Sequence, residues 1–229
     1  PKRFLHQLVS SQLDMDRLDY LSRDSFFTGV SEGVISHDRI IKMLEVQDDQ
    51  LDIEEKGIYS IEKFIVARRL MYWQVYLHKT VVGAERLLIS ILKRAGELVR
   101  SGQHLFATPA LDLFLRNSFT LDDFRERPDL LDAFAELDDS DITTSVKIWS
   151  KGPDYILREL CFRLVNRRLF KIVLRKDPFS ESEIREISER IRDRFSVDER
   201  DMHYFLETGS IVNNAYNSSS DKINIILKD

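Results

Sequence analysis

Along most of this chain, apolar positions recur at helical spacing between polar ones. Ser10 and Ser11 are N-cap residues for a first helix running to about Phe26, and Gly29 and Gly33 mark the loop that follows. Ser36 opens a short helix over residues 37–46. Leu51 and Ile53 alternate with polar neighbours and Gly57 offers a turn, so residues 50–59 read as a small β-hairpin. From Ser60 a stripe that includes Ile61, Phe64, Trp73, Leu77, Leu87 and Ile91 predicts one helix to about Arg100. Unbroken, it would be about 60 Å long, with Gly83 as the place for a kink. The stripe is either core or a subunit interface. Shorter helices follow over residues 109–117, at Thr120–Asp123, and over 129–137, 141–150 and 153–167.

After residue 167 the pattern changes. The apolar, β-branched run 169–174 suits a strand, Ser180 and Glu183 form a capping box for a helix to about Phe195, and 203–207 and 223–227 read as strands. Ser218-Ser219-Ser220 reads as a turn. The expectation is a mainly α fold: a helical body over residues 1–167, then a small C-terminal α+β lobe over 168–229.

Composition agrees with long helices. The 229 residues include only 8 glycines and 5 prolines, which leaves little punctuation. With 43% hydrophobic and 32% charged residues the chain is globular, and no apolar run is long enough to span a membrane. Cys161 is the single cysteine, so disulfides and multi-cysteine zinc sites are excluded and a cytoplasmic location is expected; Cys161 reads as a buried small hydrophobe. The net charge of −5 argues against general nucleic-acid binding. Residue 1 is Pro, so the chain is expected to be processed or part of something longer.

The densest chemistry lies in the first helix, where Asp14, Asp16, Asp19 and Asp24 fall within eleven residues. At 100° per residue, Asp16, Asp19, Tyr20, Arg23 and Asp24 share one polar sector, and Met15, Leu18, Leu21, Ser22 and Ser25 share the other. Asp19 and Arg23 form an i, i+4 pair. The polar sector is either a solvated face or a surface for a hard cation or cationic partner.

The stretch from Ser11 to Ser25, followed by Thr28-Gly29-Val30, resembles the late signature of HD-domain metal-dependent phosphohydrolases. The branch it resembles contains the deoxynucleoside triphosphate triphosphohydrolases. Arg68, Tyr76, His78 and Lys79 match the helix that passes the substrate phosphates in that branch, and residues 166–171 resemble the passage after the catalytic body. The resemblance implies an HD-like helical body with Asp16 as a catalytic metal ligand and Arg17 as a catalytic phosphate contact. It implies Tyr20 and Asp24 around the sugar, Arg68 on a phosphate, Tyr76 near the sugar, and His78 and Lys79 beside the site. The cofactor it implies is a divalent ion: Mn, Mg, Ni or Fe. The partners it implies are a nucleotide or related phosphoester, possibly a dNTP, and further copies of the chain.

This sequence also departs from the pattern. Tyr72 stands where a mammalian member carries a histidine. The upstream His and His-Asp ligands are absent. His37-Asp38 follows the Asp16 motif instead of preceding it and reads as a helix start, while His6 has no Asp beside it. One aspartate lacks the nitrogen ligands that select a transition metal, so the chain alone is expected to hold metal weakly and to be inactive. The reading is therefore the C-terminal portion of a phosphohydrolase. The alternatives are a non-catalytic regulatory or oligomerisation module of the same ancestry, and a protein-binding helical scaffold. The basic cluster Arg167, Arg168, Lys171, Arg175 and Lys176 is a solvated edge or, by the resemblance, a regulatory nucleotide contact. The Asp138–Asp141 run reads as a helix cap.

Overall fold

The computed structural model describes residues 2–213, 215–216 and 222–227. It is mainly helical with one small three-stranded sheet among the described residues. The chain packs as two compact units, Pro1–Val81 with Ser210–Asp229, and Val82–Gly209. The Ser218–Ser220 turn lies outside the described residues.

The first unit opens with a helix absent from the sequence reading, α1 (Arg3–Val9). Helix α2 (Met15–Thr28) starts later than Ser10 and Ser11 suggested. Its N-cap is Asp14, whose Oδ1 accepts from the Arg17 backbone N–H at 2.8 Å. Gly29, at φ 71°, ends α2 in the left-handed conformation that glycine adopts without strain. Helix α3 (His37–Lys42) stops four residues short of its expected end, because residues 44–47 are already strand. The hairpin thus lies upstream of its expected position. Strand β1 (Leu44–Gln47) pairs antiparallel with β2 (Gln50–Glu54) through Asp48 and Asp49, both at positive φ. Gly57 is not the hairpin turn. It lies in a 3-10 turn, where an added Cβ would meet Ile53 Cγ2 at 2.7 Å.

The long helix is broken, but not at Gly83. Helix α4 (Ile58–Met71) widens into a π-helical turn over Tyr72–Tyr76, with Leu77 N–H donating to Tyr72 O at 2.7 Å. Helix α5 (Lys79–Arg100) then starts a new hydrogen-bond register. π turns are rare and gather at functional sites. The core of the first unit holds Leu18, Leu21, Ile40, Ile53, Phe64 and Met71. The expected apolar sector of α2 is confirmed by the burial of Leu18, Leu21 and Ser25.

The second unit continues from α5 through α6 (Pro109–Arg116), α7 (Leu121–Glu126), α8 (Pro128–Ala135), α9 (Asp139–Trp149), α10 (Tyr155–Val165) and α11 (Glu181–Phe195). Capping boxes open α7, α9 and α11, as Thr120, the Asp138–Asp141 run and Ser180 suggested. Asp154 caps α10 and also receives Arg94 at 2.7 and 3.2 Å. The core here includes Leu87, Ile91, Val146, Trp149, Leu160 and Cys161. Arg175 of the basic cluster is bound by Glu183 at 2.7 and 2.8 Å.

Two expected strands do not form. Residues 169–174 form neither helix nor strand and have no ladder partner among the described residues; Leu169 and Phe170 pack on the core instead. Residues 203–207 overlap a 3-10 turn (Glu199–Tyr204) that buries Tyr204, followed by buried Phe205. The third expected strand exists as β3 (Asn224–Ile226), but it pairs parallel with β2 in the first unit. Asn224 Nδ2 donates to Asp52 Oδ1 at 3.1 Å. The division expected at residue 167 is therefore not where packing divides the chain. Strand pairing is non-local, and the C-terminal strand completes a sheet begun at residue 44.

Candidate functional site

The first unit brings together residues from three pieces of chain: the segment before α2, the polar face of α2, and the end of α4 with its π turn. Asp14, 2% exposed, accepts from the Ser11 and Arg17 backbone N–H groups. Its Oδ2 also receives the Arg17 guanidinium, which donates in addition to the Ser11 carbonyl. Arg17 is thus held by a buried carboxylate and a carbonyl. A fixed, neutralised guanidinium is a poorer contact for an incoming phosphate than the sequence reading implied.

Arg68 is the opposite case. It is 4% exposed, near the C-terminal end of α4, and no carboxylate among the described residues pairs with it. Its Nη1 donates to Gln12 Oε1 at 3.0 Å. Its guanidinium carbon lies 5.8 Å from the centre of the Tyr72 ring, within cation–π range. Its Nε is buried with no hydrogen-bond partner. A buried cation with an unmet donor and no counter-charge is a standing invitation to an anion.

Three tyrosines stand beside it. Tyr72 packs edge-on against Tyr76 at 5.3 Å, and Tyr76 against Tyr20 at 5.8 Å. The π turn presents two of these rings from one short segment. Tyr76 Oη donates to Asp24 Oδ2 at 2.9 Å. Burial, together with this carboxylate, pushes the Tyr76 hydroxyl well above the usual tyrosine range. Burial also pushes Tyr20 up, while the Arg68 charge pulls the other way. The cluster therefore keeps neutral phenols beside one unneutralised guanidinium, a chemistry suited to a ligand that is anionic at one end and hydroxylated at the other.

Of the expected residues, Tyr20, Asp24, Arg68 and Tyr76 are brought together. Asp16 is exposed on α2, and its carboxylate makes no hydrogen bond or ion pair among the described residues. No group of three His, Cys, Asp or Glu side chains there could hold a metal ion. A single carboxylate does not fit the implied divalent cofactor, and no chemical step is assigned to one. His78 is exposed, and its Nδ1 accepts from Thr80 N–H at 3.3 Å; this holds the entry to α5 and makes no bond to the cluster. Lys79 is exposed at the start of α5. Asp19 and Arg23 form the expected surface pair at 2.7 Å. The sequence pattern assigns no role to Gln12, nor to Asp14 as a clamp. Both sit in the matched stretch, but neither has a period or spacing that marks it.

The family description "HD associated region" matches residues 35–107. The chain is 54% identical to a phosphohydrolase from Bacteroides thetaiotaomicron of known crystal structure, with a TM-score of 0.89, covering 100% of this chain and 57% of that one. It is 38% identical over 168 residues to the uncharacterized protein YwfO of Bacillus subtilis, which is 72% of this chain and 36% of YwfO. It is 28% identical over 107 residues to the deoxynucleoside triphosphate triphosphohydrolase SAMHD1 homolog of Dictyostelium discoideum, which is 45% of this chain and 21% of that protein. The chain spans 36–41% of the length of the first curated relatives it matches. No helix among the described residues is long and apolar enough to cross a membrane. These likenesses relate the chain to phosphohydrolases and to proteins that carry an HD-associated region.

Proposed function

We propose that this chain is the C-terminal portion of an HD-family phosphohydrolase and supplies the substrate-binding wall for a nucleoside polyphosphate, a deoxynucleoside triphosphate in the simplest case. The observation that carries this reading is Arg68, a buried guanidinium with no carboxylate partner among the described residues and an unmet Nε donor. Arg68 takes a phosphate oxygen, since a planar fork suits that geometry. Tyr20, Tyr76 and Asp24 take the sugar, with the Asp24 carboxylate as acceptor for a hydroxyl. The name of the Dictyostelium relative and that of the Bacteroides phosphohydrolase support the substrate class. Arg17, tied to Asp14, fixes the start of α2 and reaches substrate only if that pair opens. The divalent cofactor belongs to the complete enzyme, with Asp16 as this chain's contribution. The working enzyme is cytoplasmic and a homo-oligomer; exposed Trp73 and Val81 on the long helical stripe are the apolar surface offered for assembly.

The test is to assay the longest natural product containing this chain against deoxynucleoside triphosphates, following release of inorganic tripolyphosphate, with and without Arg68→Ala. Strong loss in the variant is expected. Full turnover by Arg68→Ala, or metal-supported hydrolysis by the 229 residues alone, counts against the reading. The runner-up is a non-catalytic regulatory or oligomerisation module of the same ancestry. A full-length product that binds nucleotide and turns none over would select it.

A further inference from the structure

The two arginines of the site are gripped by neighbouring residues in opposite ways. The Ser11 carbonyl and the Asp14 carboxylate hold Arg17, and the carboxylate cancels its charge. The Gln12 side chain holds Arg68 at 3.0 Å, and an amide oxygen cancels nothing. On the other side Arg68 meets the Tyr72 ring, again a neutral partner. An arginine that is 4% exposed would ordinarily be paired with a carboxylate. The Gln12 and Tyr72 contacts orient the guanidinium and leave its charge free, and the Tyr20 phenol, which also interacts with it, is neutral too.

We infer that Gln12 and Tyr72 are positioning residues: they fix the Arg68 guanidinium by neutral contacts so that its charge stays available to an anionic ligand, with the unpartnered Nε as the donor left for it. This deepens the phosphate role proposed for Arg68 and rests on that reading. The choice of an amide at position 12 is the central point. A carboxylate there would hold the same fork more tightly and neutralise the charge that the ligand needs. Tyr72 has a complementary part. Its ring face attracts the cation without offering a competing anion, and only its aromatic character is required.

The test uses the 229-residue chain, with inorganic tripolyphosphate as the probe and isothermal titration as the readout, beside thermal unfolding of each variant. Gln12→Glu is expected to lower tripolyphosphate affinity about tenfold or more, while leaving the unfolding midpoint unchanged or raised. Gln12→Ala is expected to lower both affinity and midpoint, because the fork is then unsupported. Tyr72→Phe should bind within about twofold of the wild type and Tyr72→Leu about tenfold more weakly, since only the first keeps the π face. A purely structural role would move stability and binding together. The opposed response of Gln12→Glu is what it cannot produce.

The failures separate. If Arg68→Ala abolishes binding but Gln12→Glu and Tyr72→Leu bind as the wild type does, the positioning roles are wrong and the Arg68 reading stands. If Arg68→Ala binds tripolyphosphate as the wild type does, or the wild type does not bind it, the phosphate reading falls and this inference with it. As a ligand-free check, the Arg68 Nε–H resonance should be slow to exchange in the wild type and in Tyr72→Phe, and faster in Gln12→Ala. Equal exchange in all three overturns the claim that Gln12 fixes the guanidinium.

Discussion

Tyr76 donates its phenolic hydrogen to Asp24 Oδ2 at 2.9 Å, joining the π turn to the polar face of α2 across 52 positions of sequence. The bond is half-buried, and it fixes a ring that touches both Tyr20 and Tyr72. Removing the hydroxyl with Tyr76→Phe keeps the ring contacts and leaves the carboxylate short of a donor. The expected cost is about 1–2 kcal/mol of stability, measured by urea unfolding. An unchanged midpoint would show that water replaces the bond at no cost.

The same phenols set a behaviour in alkali. Tyr20 and Tyr76 have raised pKa values, and burial together with a hydrogen bond to Glu97 pushes Tyr204 up to about 12. A raised tyrosine pKa means that the fold favours the neutral phenol. Its contribution to stability is complete below the ordinary value near 10 and declines as pH rises above it, since the unfolded chain then loses protons that the native state keeps. Cys161, whose buried thiol is likewise pushed up to about 12, adds an earlier loss that begins near the ordinary cysteine value of about 8.5, so unfolding free energy is expected to be flat from pH 7 to 8, to decline gently above that, and to fall more steeply between pH 10 and 11. A flat profile through pH 11 would contradict the burial of these hydroxyls.

Arg17 and Arg68 should answer truncation differently. Arg17→Ala leaves Asp14 as a buried carboxylate without its cation, at an expected cost of about 2–3 kcal/mol. Arg68→Met replaces a buried cation that has no counter-charge with an apolar chain of similar length. It is expected to be neutral or stabilising by about 1 kcal/mol while abolishing tripolyphosphate binding. Denaturant midpoints for the two variants decide this, and a large loss of stability in Arg68→Met would refute it.

Titration of this chain with manganese is expected to give no saturable binding at micromolar metal. Asp16→Asn should leave that result and the unfolding midpoint unchanged, because Asp16 is an exposed carboxylate with no ligand group around it. Tight one-to-one binding that Asp16→Asn removes would show that the ligand set is complete within these residues.

Cys161 is 0% exposed in the second core, and burial pushes its thiol up to about 12. Thiolate is the reactive form. The native protein at pH 8 should react with a thiol-specific disulfide reagent far more slowly than the urea-unfolded protein does. Comparable rates would mean that the α10 face opens readily.

Much of this protein is legible residue by residue. Capping chemistry is local, so Thr120, Asp138 and Ser180 mark their helices without knowledge of the fold. The apolar sector of α2 is a matter of angular period, and Leu18 and Leu21 are buried accordingly. The residues gathered in the candidate site, Tyr20, Asp24, Arg68 and Tyr76, all lie in the stretches that carry the family resemblance. What those stretches could not reveal is charge pairing. Whether an arginine is neutralised depends on what folds against it, and Arg17 and Arg68 look equally available in sequence.

The strands mark the other boundary. The run 169–174 has the composition of a strand, but β structure needs a neighbour; Leu169 and Phe170 pack on a helical core instead, while Val173 and Leu174 stay exposed. Residues 224–226 do become a strand because β2, some 170 positions earlier, offers its edge. The break in the long helix is likewise a product of packing: no glycine or proline marks the π turn at Tyr72–Tyr76. Sequence alone determined the helical class and the caps, since these follow from local period and local hydrogen bonding. Tertiary structure decided which strands exist, where the chain divides, and which arginine keeps its charge, since each depends on a partner distant in sequence.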